Sequence, residues 1–184
     1  MDRKQERAFE EFIAESGDSL LRLATLLTSD QGLGEDVYQE TLHRLAARWG
    51  RVDNPRAFCR RVMHNLVIDA GRARKRQVAQ VRLAEGFDDC DPRSADPAAA
   101  AELRPVLLSA LRTLTLHQRE IVVLRYFDDR SENEVADLLG ISAGTVKSTL
   151  SRAVALLRRE PGISELFARA TNVTMRRTGY AGYR

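Results

Sequence analysis

The residues best suited to binding chemistry lie in the segment GISAGTVKSTLSRAV, which runs from Gly140 to Val154. Apolar residues recur in and just after it at i, i+4, i+7 and i+11, which predicts one buried side of an α-helix. These residues are Val146, Leu150, Ala153 and Leu157. The opposite side is small, hydroxylated or cationic, with Lys147, Ser148, Ser151 and Arg152. Such a side can approach an anionic surface closely and can bond to phosphates or to the edges of bases.

A second, shorter helix is predicted just before this one, with a tight turn between them. Ser131 and Glu134 have the spacing of a capping box, in which each side chain bonds a backbone N–H at the helix start. Gly140 stands where a helix end favours a positive φ, and Ser142 is suited to cap the next helix. Two short helices joined by a glycine-containing turn describe a helix-turn-helix, whose second helix enters the major groove of DNA.

A helical hairpin with a solvated polar side is the plainer alternative for this segment. The caps, the turn and the continuous polar side together favour DNA binding. Gly144 would let the backbone come close to a phosphate, where the positive end of the helix dipole also helps. The predicted DNA-contacting residues are Thr145, Lys147, Ser148, Ser151 and Arg152.

A polar surface of the opposite charge is predicted in the first half of the chain, in GEDVYQETLHRLAARW. Its apolar stripe at helical spacing is predicted to be Tyr38, Leu42, Leu45 and Trp49. The other side holds Asp36, Gln39, Glu40 and His43. An acidic side repels DNA phosphates and suits a protein partner with basic residues. A solvated helix side is the alternative, and amphipathicity alone favours that alternative.

The segment DNPRAFCRRVMHNLVIDAGR predicts a further helix, with Asn54 as its N-cap and Pro55 at the first helical position. Its inner side is predicted to hold Phe58, Cys59, Val62, Met63, Leu66 and Ala70. One edge carries Arg61, Asn65 and Arg72, with Asp69 near the border of the stripe. This edge and the basic run that follows it have two equally weighted interpretations. They could bind nucleic acid, or they could be the solvated end of a helix.

Covalent catalysis is not predicted from these residues. Cys59 is best interpreted as a small buried apolar residue, and His64 has no obvious acid partner in the sequence. The three histidines are scattered, without the spacing of metal ligands. Clustered carboxylates at Glu35, Asp36 and Glu40 leave an enzyme as an alternative, but no histidine, metal set or glycine-rich loop accompanies them. We therefore predict that the protein is not an enzyme and has no metal site and no cofactor.

The bulk composition agrees with a binding protein of ordinary solubility. Hydrophobic residues make up 43% of the 184 residues, charged residues 30% and aromatic residues 6%. The formal net charge is +3, which permits a nucleic-acid partner without proving one. No signal peptide, no long apolar run and no CxxC pair is seen in the sequence. We expect a protein of the reducing cytoplasm with no membrane insertion.

The periodicity predicts an all-α protein with two small helical domains. The expected boundaries are 1–80 for the first domain, 81–101 for an irregular acidic linker, 102–160 for the helix-turn-helix domain and 161–184 for a tail. The linker prediction depends on EGFDDCDPRSADPAA, which is acidic, contains two prolines and has few apolar residues.

Three segments together resemble one bacterial family. They are EDVYQETLHRL, PRAFCRRVMHNLVIDAGRARKR and LRTLTLHQREIVVLRYFDDRSENEVADLLGISAGTVKSTLSRAVALLR. The chain is similar over residues 9–159, in the family's order, to the extracytoplasmic-function (ECF) sigma factors. These are small specificity subunits of RNA polymerase with two domains, σ2 and σ4. The resemblance implies a sigma factor that directs promoter recognition, promoter melting and the start of transcription.

The resemblance also implies roles for the surfaces already described. Asp36, Gln39 and Glu40 match the segment that docks on the coiled-coil clamp helices of the polymerase β′ subunit. Arg61, Asn65 and Asp69, with Arg72 on the same edge, match the helix that reads and melts the −10 element. The loop 49–54 would lie near the pocket for a flipped base. The helix-turn-helix residues named above match those that read the −35 element, and the linker matches the connector threaded toward the RNA exit path.

The implied partners are core RNA polymerase, through its β′ clamp helices and β flap, and promoter DNA. An anti-sigma factor is a further candidate partner, and the free protein is expected to be a monomer. The alternative function is a helix-turn-helix repressor or activator that binds duplex operators as a dimer. That alternative accounts for residues 131–158 and leaves the first half of the chain unexplained.

Three positions depart from the family pattern. Thr149 stands where many relatives have arginine, which predicts one phosphate contact fewer. Arg130 replaces an apolar residue just before the capping box, which predicts a weaker hydrophobic staple. Tyr38 is bulkier than the usual aliphatic residue. The tail lies outside the family pattern, and its end is expected to be disordered.

Overall fold

The computed structural model describes residues 3–81, 103–160 and 163, with side chains described for 3–72, 105–160 and 163. This part of the chain forms seven α-helices and no β-strand, so the predicted all-α class is confirmed. The helices are α1 (Arg3–Thr28), α2 (Gln31–Ala46), α3 (Pro55–Val81), α4 (Leu103–Arg112), α5 (Leu116–Tyr126), α6 (Glu132–Leu139) and α7 (Ala143–Leu157). The predicted acidic linker and tail lie outside the described residues, apart from residue 81 at the end of α3 and Ile163.

Helices α1 to α3 form a first helical unit around a close crossing of α1 and α2. Gly34 makes this crossing possible, because a Cβ there would lie 2.6 Å from the Thr25 Cα. Asp30 caps α2 by accepting a hydrogen bond from the Leu33 N–H at 3.0 Å. After α2 the chain folds back onto α1, where the Trp49 ring packs 5.0 Å from Phe9, centroid to centroid.

The buried side of α2 differs from the predicted stripe. Leu45 is fully buried as predicted, but Tyr38 and Leu42 are only partly buried. Trp49 lies in the turn after the helix, so its predicted place on the helical stripe is wrong. The buried residues are Gly34, Val37, Thr41 and Leu45. Thr41 can be buried because its hydroxyl donates to the Val37 carbonyl at 2.7 Å, which removes the cost of an unpaired polar group.

Helix α3 begins as predicted, since the Asn54 side chain accepts a hydrogen bond from the Ala57 N–H at 3.0 Å. The predicted inner position of Ala70 is wrong, because that residue is exposed. The buried side passes instead through Met63 and Val67. It continues at Gly71, where a Cβ would lie 3.0 Å from Leu116 Cδ2. Near its Gly71, helix α3 therefore packs against α5.

Helices α4 to α7 form a second helical unit that contains the predicted helix-turn-helix. Both halves of the predicted capping box at Ser131 and Glu134 are present. Gly140 ends α6 at φ 66°, in the left-handed region that glycine adopts at low cost. Ser142 caps α7 by accepting from the Thr145 N–H at 3.1 Å. The sequence alone predicted these helix ends correctly, because each of these residues satisfies a backbone group at a helix end.

The two helical units share one apolar core. A single cluster of buried residues joins Leu20, Leu23 and Met63 of the first unit to Leu111, Val122 and Leu157 of the second. A smaller cluster, which includes Ile121, Val135 and Val146, fills the space within the helix-turn-helix. The helices that hold the predicted polar surfaces are therefore fixed to a common core.

One prediction about a titratable residue is wrong. His64 on α3 has an acid partner, because its Nδ1 lies 2.7 Å from Oε1 of Glu120 on α5. The Glu120 side chain is only 2% exposed. The two residues are 56 positions apart, so no local pattern in the sequence connects them.

Candidate nucleic-acid and protein-binding surfaces

The recognition surface is the exposed side of α7, made of five polar residues. Its members, all exposed, are Thr145, Lys147, Ser148, Ser151 and Arg152. The apolar side predicted for this helix is packed, with Val146, Ala153 and Leu157 each 0% exposed. The structure thus brings the five predicted DNA-contacting residues together on one face of one helix.

Several side chains on the recognition surface are oriented by the helix itself. The Arg152 Nε donates to the Ser148 carbonyl at 3.2 Å, which directs the guanidinium toward the helix N-terminus. Ser148 Oγ donates to the Thr145 carbonyl at 3.2 Å and keeps its oxygen free to accept. The Thr145 hydroxyl lies 2.8 Å from Ser142 Oγ. Cationic and hydroxyl groups therefore extend over the first three turns of α7, and at the first of these turns the helix dipole also favours an anion.

Two of the departures from the family pattern have a structural explanation. Thr149 is 6% exposed and lies on the packed side of α7, so its side chain belongs to the core and not to the recognition surface. Arg130 forms ion pairs where an apolar staple was expected: its Nη1 lies 2.7 Å from Glu134 Oε1 and its Nε lies 3.1 Å from Asp128 Oδ2. Ionic contacts therefore fix the entry to α6.

The capping box of α6 lowers the pKa of one of its own residues, Glu134. The backbone N–H of Ser131, its hydroxyl and the Arg130 guanidinium all stabilise the Glu134 carboxylate. Together they lower the pKa of Glu134 from its ordinary 4.5 to about 2. The carboxylate is thus charged over the whole physiological range, and its half of the capping box stays formed there.

The acidic surface predicted on α2 is exposed. Asp36, Gln39 and Glu40 all face solvent, with His43 beside them. Glu40 pairs with Arg44 at 2.7 Å along the same helix. The sequence interpretation missed Leu33, which lies one turn before Asp36 and remains 46% exposed. Its spacing of three residues from Asp36 and seven from Glu40 is the signal that would have placed it beside them.

The edge predicted on α3 forms a line of exposed polar residues. Arg61, Asn65, Asp69 and Arg72 are all exposed, at i, i+4, i+8 and i+11. Asp69 and Arg72 lie 3.9 Å apart and are each 72% exposed, so they interact only weakly. In the preceding loop the Trp49 ring is packed on Phe9 and Phe12, while Arg51 and Asp53 remain exposed. The part of the loop that can meet a ligand therefore includes Arg51 and Asp53 and excludes the Trp49 ring.

Cys59 lies inside the core and does not present a nucleophile. Its side chain is 0% exposed, and burial raises the pKa of its thiol to about 11. Within the described residues no cluster of three or more His, Cys, Asp or Glu could hold a metal ion. In the same part of the chain, every helix is too short or too polar to cross a membrane.

Comparison with known proteins identifies the class to which these surfaces belong. Residues 12–77 match the family model described as Sigma-70 region 2, and residues 105–157 match the one described as Sigma-70, region 4. The chain is 41% identical to the RNA polymerase sigma-E factor of Streptomyces coelicolor, with 88% of this chain and 90% of the relative covered. It is 36% identical to the ECF RNA polymerase sigma factor SigL of Mycobacterium tuberculosis, covering 76% and 80%.

Solved structures have the same fold. The sigma factor RpoE in complex with the anti-sigma factor NepR, from Bartonella quintana, matches with a TM-score of 0.69 and 24% identity, covering 83% of this chain and 96% of that one. CnrH in complex with the cytosolic domain of CnrY matches with a TM-score of 0.56 and 24% identity, covering 84% and 87%. The chain described here belongs to the ECF sigma factors of the sigma-70 family, as its sequence predicted.

Proposed function

We propose that this sigma factor docks on core RNA polymerase through the acidic surface of α2 and reads the −35 element with the recognition surface of α7. The single observation that best supports the proposal is the recognition surface. Five polar side chains are exposed on one face of a helix whose other face packs on the core through Val146, Ala153 and Leu157. Such a face fits the major groove, where lysine, arginine and hydroxyl groups bond to base edges and phosphates.

The first helical unit is proposed to engage polymerase and the −10 element on different sides. Asp36, Gln39 and Glu40 on α2 would meet basic residues of the β′ clamp helices, where Leu33 adds an apolar contact. The exposed edge of α3, with Arg51 and Asp53 of the preceding loop, would capture unstacked bases of the −10 element. Contacts to a captured base offset part of the cost of opening the duplex. The β flap would meet the second unit.

The remaining proposals follow from this role. The protein acts in the cytoplasm by binding, without catalysing a reaction itself, and it is a monomer when free. Domain boundaries at 80 and 102 would leave the linker to connect two units that bind separate DNA elements. An anti-sigma factor, as in the complex of RpoE with NepR, is a candidate partner.

Transcription in vitro with core polymerase tests the proposal. The purified protein is added to core enzyme on genomic fragments, and RNA 5′ ends are mapped. Discrete start sites that appear only with the protein, and that disappear when the upstream element is scrambled, are expected. A protein that binds duplex operators as a dimer and gives core enzyme no start-site selection would contradict the proposal.

A further inference from the structure

The side of α7 that carries the recognition surface continues past its five residues. Arg158 and Arg159 follow Ser151 and Arg152 by nearly two helical turns, so they repeat the same side of the helix. Residue 158 keeps helical geometry, at φ −63° and ψ −16°, although α7 itself ends one residue earlier. Both arginines are exposed. Both also lie just beyond the residues 105–157 that match Sigma-70, region 4.

The turn that carries these arginines is fixed to the core. The backbone N–H groups of Arg158, Arg159 and Glu160 each bond back to a carbonyl of α7 at 3.0 Å. The next residue that the structure describes is Ile163, whose N–H donates to the Glu160 carbonyl at 3.3 Å. Its side chain is 0% exposed and belongs to the larger apolar cluster. Because the backbone beneath the arginines is already held in place, binding a ligand there costs little conformational entropy of the main chain.

The charges on this part of the chain are nearly all positive. Residues 140–160 contain four cations, Lys147, Arg152, Arg158 and Arg159, and one acid, Glu160. All four cations are exposed. Among the described residues, no carboxylate lies within ion-pair distance of Arg158 or Arg159. The two arginines therefore present positive charge that no neighbouring acid neutralises.

This face of the helix is longer than the major groove is wide. From Thr145 to Arg158 the rise is roughly 20 Å at about 1.5 Å per residue, whereas the groove is about 12 Å wide. A recognition helix that puts its N-terminal residues on base edges would point its other end toward the sugar-phosphate backbone. Ala155 lies between the two ends and is exposed, and its side chain is too small to hold that backbone away.

We propose that Arg158 and Arg159 form a second binding site for DNA phosphate, on the backbone that borders the major groove at the −35 element. This inference rests on the proposed function, to which it adds the two residues that set the register of α7 in the groove. Phosphate contacts carry no sequence information, but they fix the position from which the recognition surface reads the bases. Each guanidinium can bond to two phosphate oxygens at once.

Removal of the two charges tests the inference. The variant Arg158→Ala with Arg159→Ala is compared with the unchanged full chain on a −35 duplex from a mapped start site, by fluorescence anisotropy over a series of salt concentrations. The slope of log affinity against log salt is expected to fall by about 1.8, at about 0.9 for each phosphate contact. The affinity should fall by about 60-fold at about 0.1 M salt and hardly change at about 1 M, where counterion release no longer favours binding.

Two further variants and a second duplex separate this role from others. Arg158→Lys with Arg159→Lys retains the charges and should retain most of the slope. Lys4→Ala with Arg7→Ala removes the same charge from exposed positions of α1 and should leave the slope nearly unchanged. The alanine variant at 158 and 159 should lose affinity by the same factor on an intact and on a scrambled −35 duplex, because phosphate contacts do not read sequence.

A second measurement locates the contacts on the DNA. Methylphosphonate replaces one phosphate at a time along both strands of the duplex and removes its charge. The unchanged protein should lose affinity at one or two phosphates that border the groove. The variant with alanine at Arg158 and Arg159 should be insensitive to replacement at those same positions.

Other outcomes overturn the inference. An alanine variant with the slope of the unchanged protein, or with the same sensitivity to every methylphosphonate, shows that the arginines touch no phosphate. A lower temperature of thermal unfolding with an unchanged slope shows that they only stabilise the C-terminus of α7, whose dipole favours cations. If the unchanged protein binds intact and scrambled duplexes equally, the proposed reading of the −35 element fails, and the register inferred here fails with it. If it discriminates between them and the slope stays the same, only this inference fails.

Discussion

At the scale of single residues, the acidic surface of α2 combines charge with one apolar side chain. Leu33 is 46% exposed beside Asp36 and Glu40. A single exposed leucine is ordinary on a protein surface. Its position next to a proposed docking surface gives it a testable role, since apolar contact and charge complementarity contribute differently to a complex.

Alanine at both Asp36 and Gln39 is predicted to abolish binding to core polymerase with the fold intact. Leu33→Ala should weaken binding by roughly 1–2 kcal/mol, because truncation removes buried apolar area, and this loss should persist at high salt. Affinity for fluorescently labelled core enzyme, measured at low and high salt, checks both. Alanine at Glu10, which is exposed on α1, removes the same single negative charge and is the control for charge. Unchanged binding of the double alanine variant would discard the docking surface.

Glu134 provides a prediction with a defined pH range. Because folding lowers its pKa from 4.5 to about 2, the carboxylate stabilises the fold above pH 4.5 and loses this effect as the pH falls toward 2. Glu134→Gln should therefore lower the free energy of unfolding at neutral pH and have progressively less effect in acid. Urea unfolding at several pH values measures the difference. A difference that stays constant down to pH 2 would show that the cap does not depend on the charge.

At the scale of helices, the crossing of α1 and α2 depends on one missing side chain. A Cβ at Gly34 would lie within 2.8 Å of three Thr25 atoms, two of them in the backbone, so the helices would have to separate. Gly34→Ala is predicted to lower the free energy of unfolding by about 1–3 kcal/mol. Gly32→Ala is the matched control on the same helix, because its nearest neighbour would be 3.6 Å away. Thermal unfolding compares the two, and equal stabilities would contradict the packing argument.

The helix-turn-helix was predictable because its signals are local. Ser131, Gly140 and Ser142 each satisfy a requirement of the backbone within four residues, so the sequence alone places them. Ala70 and Trp49 were placed wrongly because the helical periodicity was extended too far. At Trp49 the helix has already ended, and near Ala70 the contact with α5 determines which side of α3 is buried. Neither the turn after α2 nor the approach of α5 to Gly71 has a local signature.

At the scale of the whole molecule, the contacts between the two units were beyond sequence analysis. Arg60 and Asp128 are 68 positions apart. Other charged residues stand beside each of them in the sequence, so the sequence does not show which two form the ion pair. His64 lacked an acid partner in the sequence for the same reason. The exposed surfaces on α2, α3 and α7 were predictable because exposure follows from periodicity, whereas pairing across the core requires the fold.

Because the net charge of the whole molecule is small, binding to DNA must depend on the cations of the recognition surface. A net charge of +3 spread over 184 residues gives little general attraction to DNA, so local cations must supply it. Alanine at both Lys147 and Arg152 is predicted to weaken binding to a −35 duplex and to reduce the slope of log affinity against log salt by about 1.8, if each contacts one phosphate. Fluorescence anisotropy over a series of salt concentrations measures both.

Lys4→Ala with Arg7→Ala is the matched control, since it removes the same charge from exposed positions of α1. The control should leave the slope nearly unchanged, because charges that do not touch phosphate release no counterions. Alanine at Ser148 and Ser151 tests sequence reading separately. It should reduce discrimination between intact and scrambled −35 duplexes while preserving the slope, because hydroxyls bond to bases without neutralising charge. Equal slopes for the two charge variants would place the DNA on another face of the molecule.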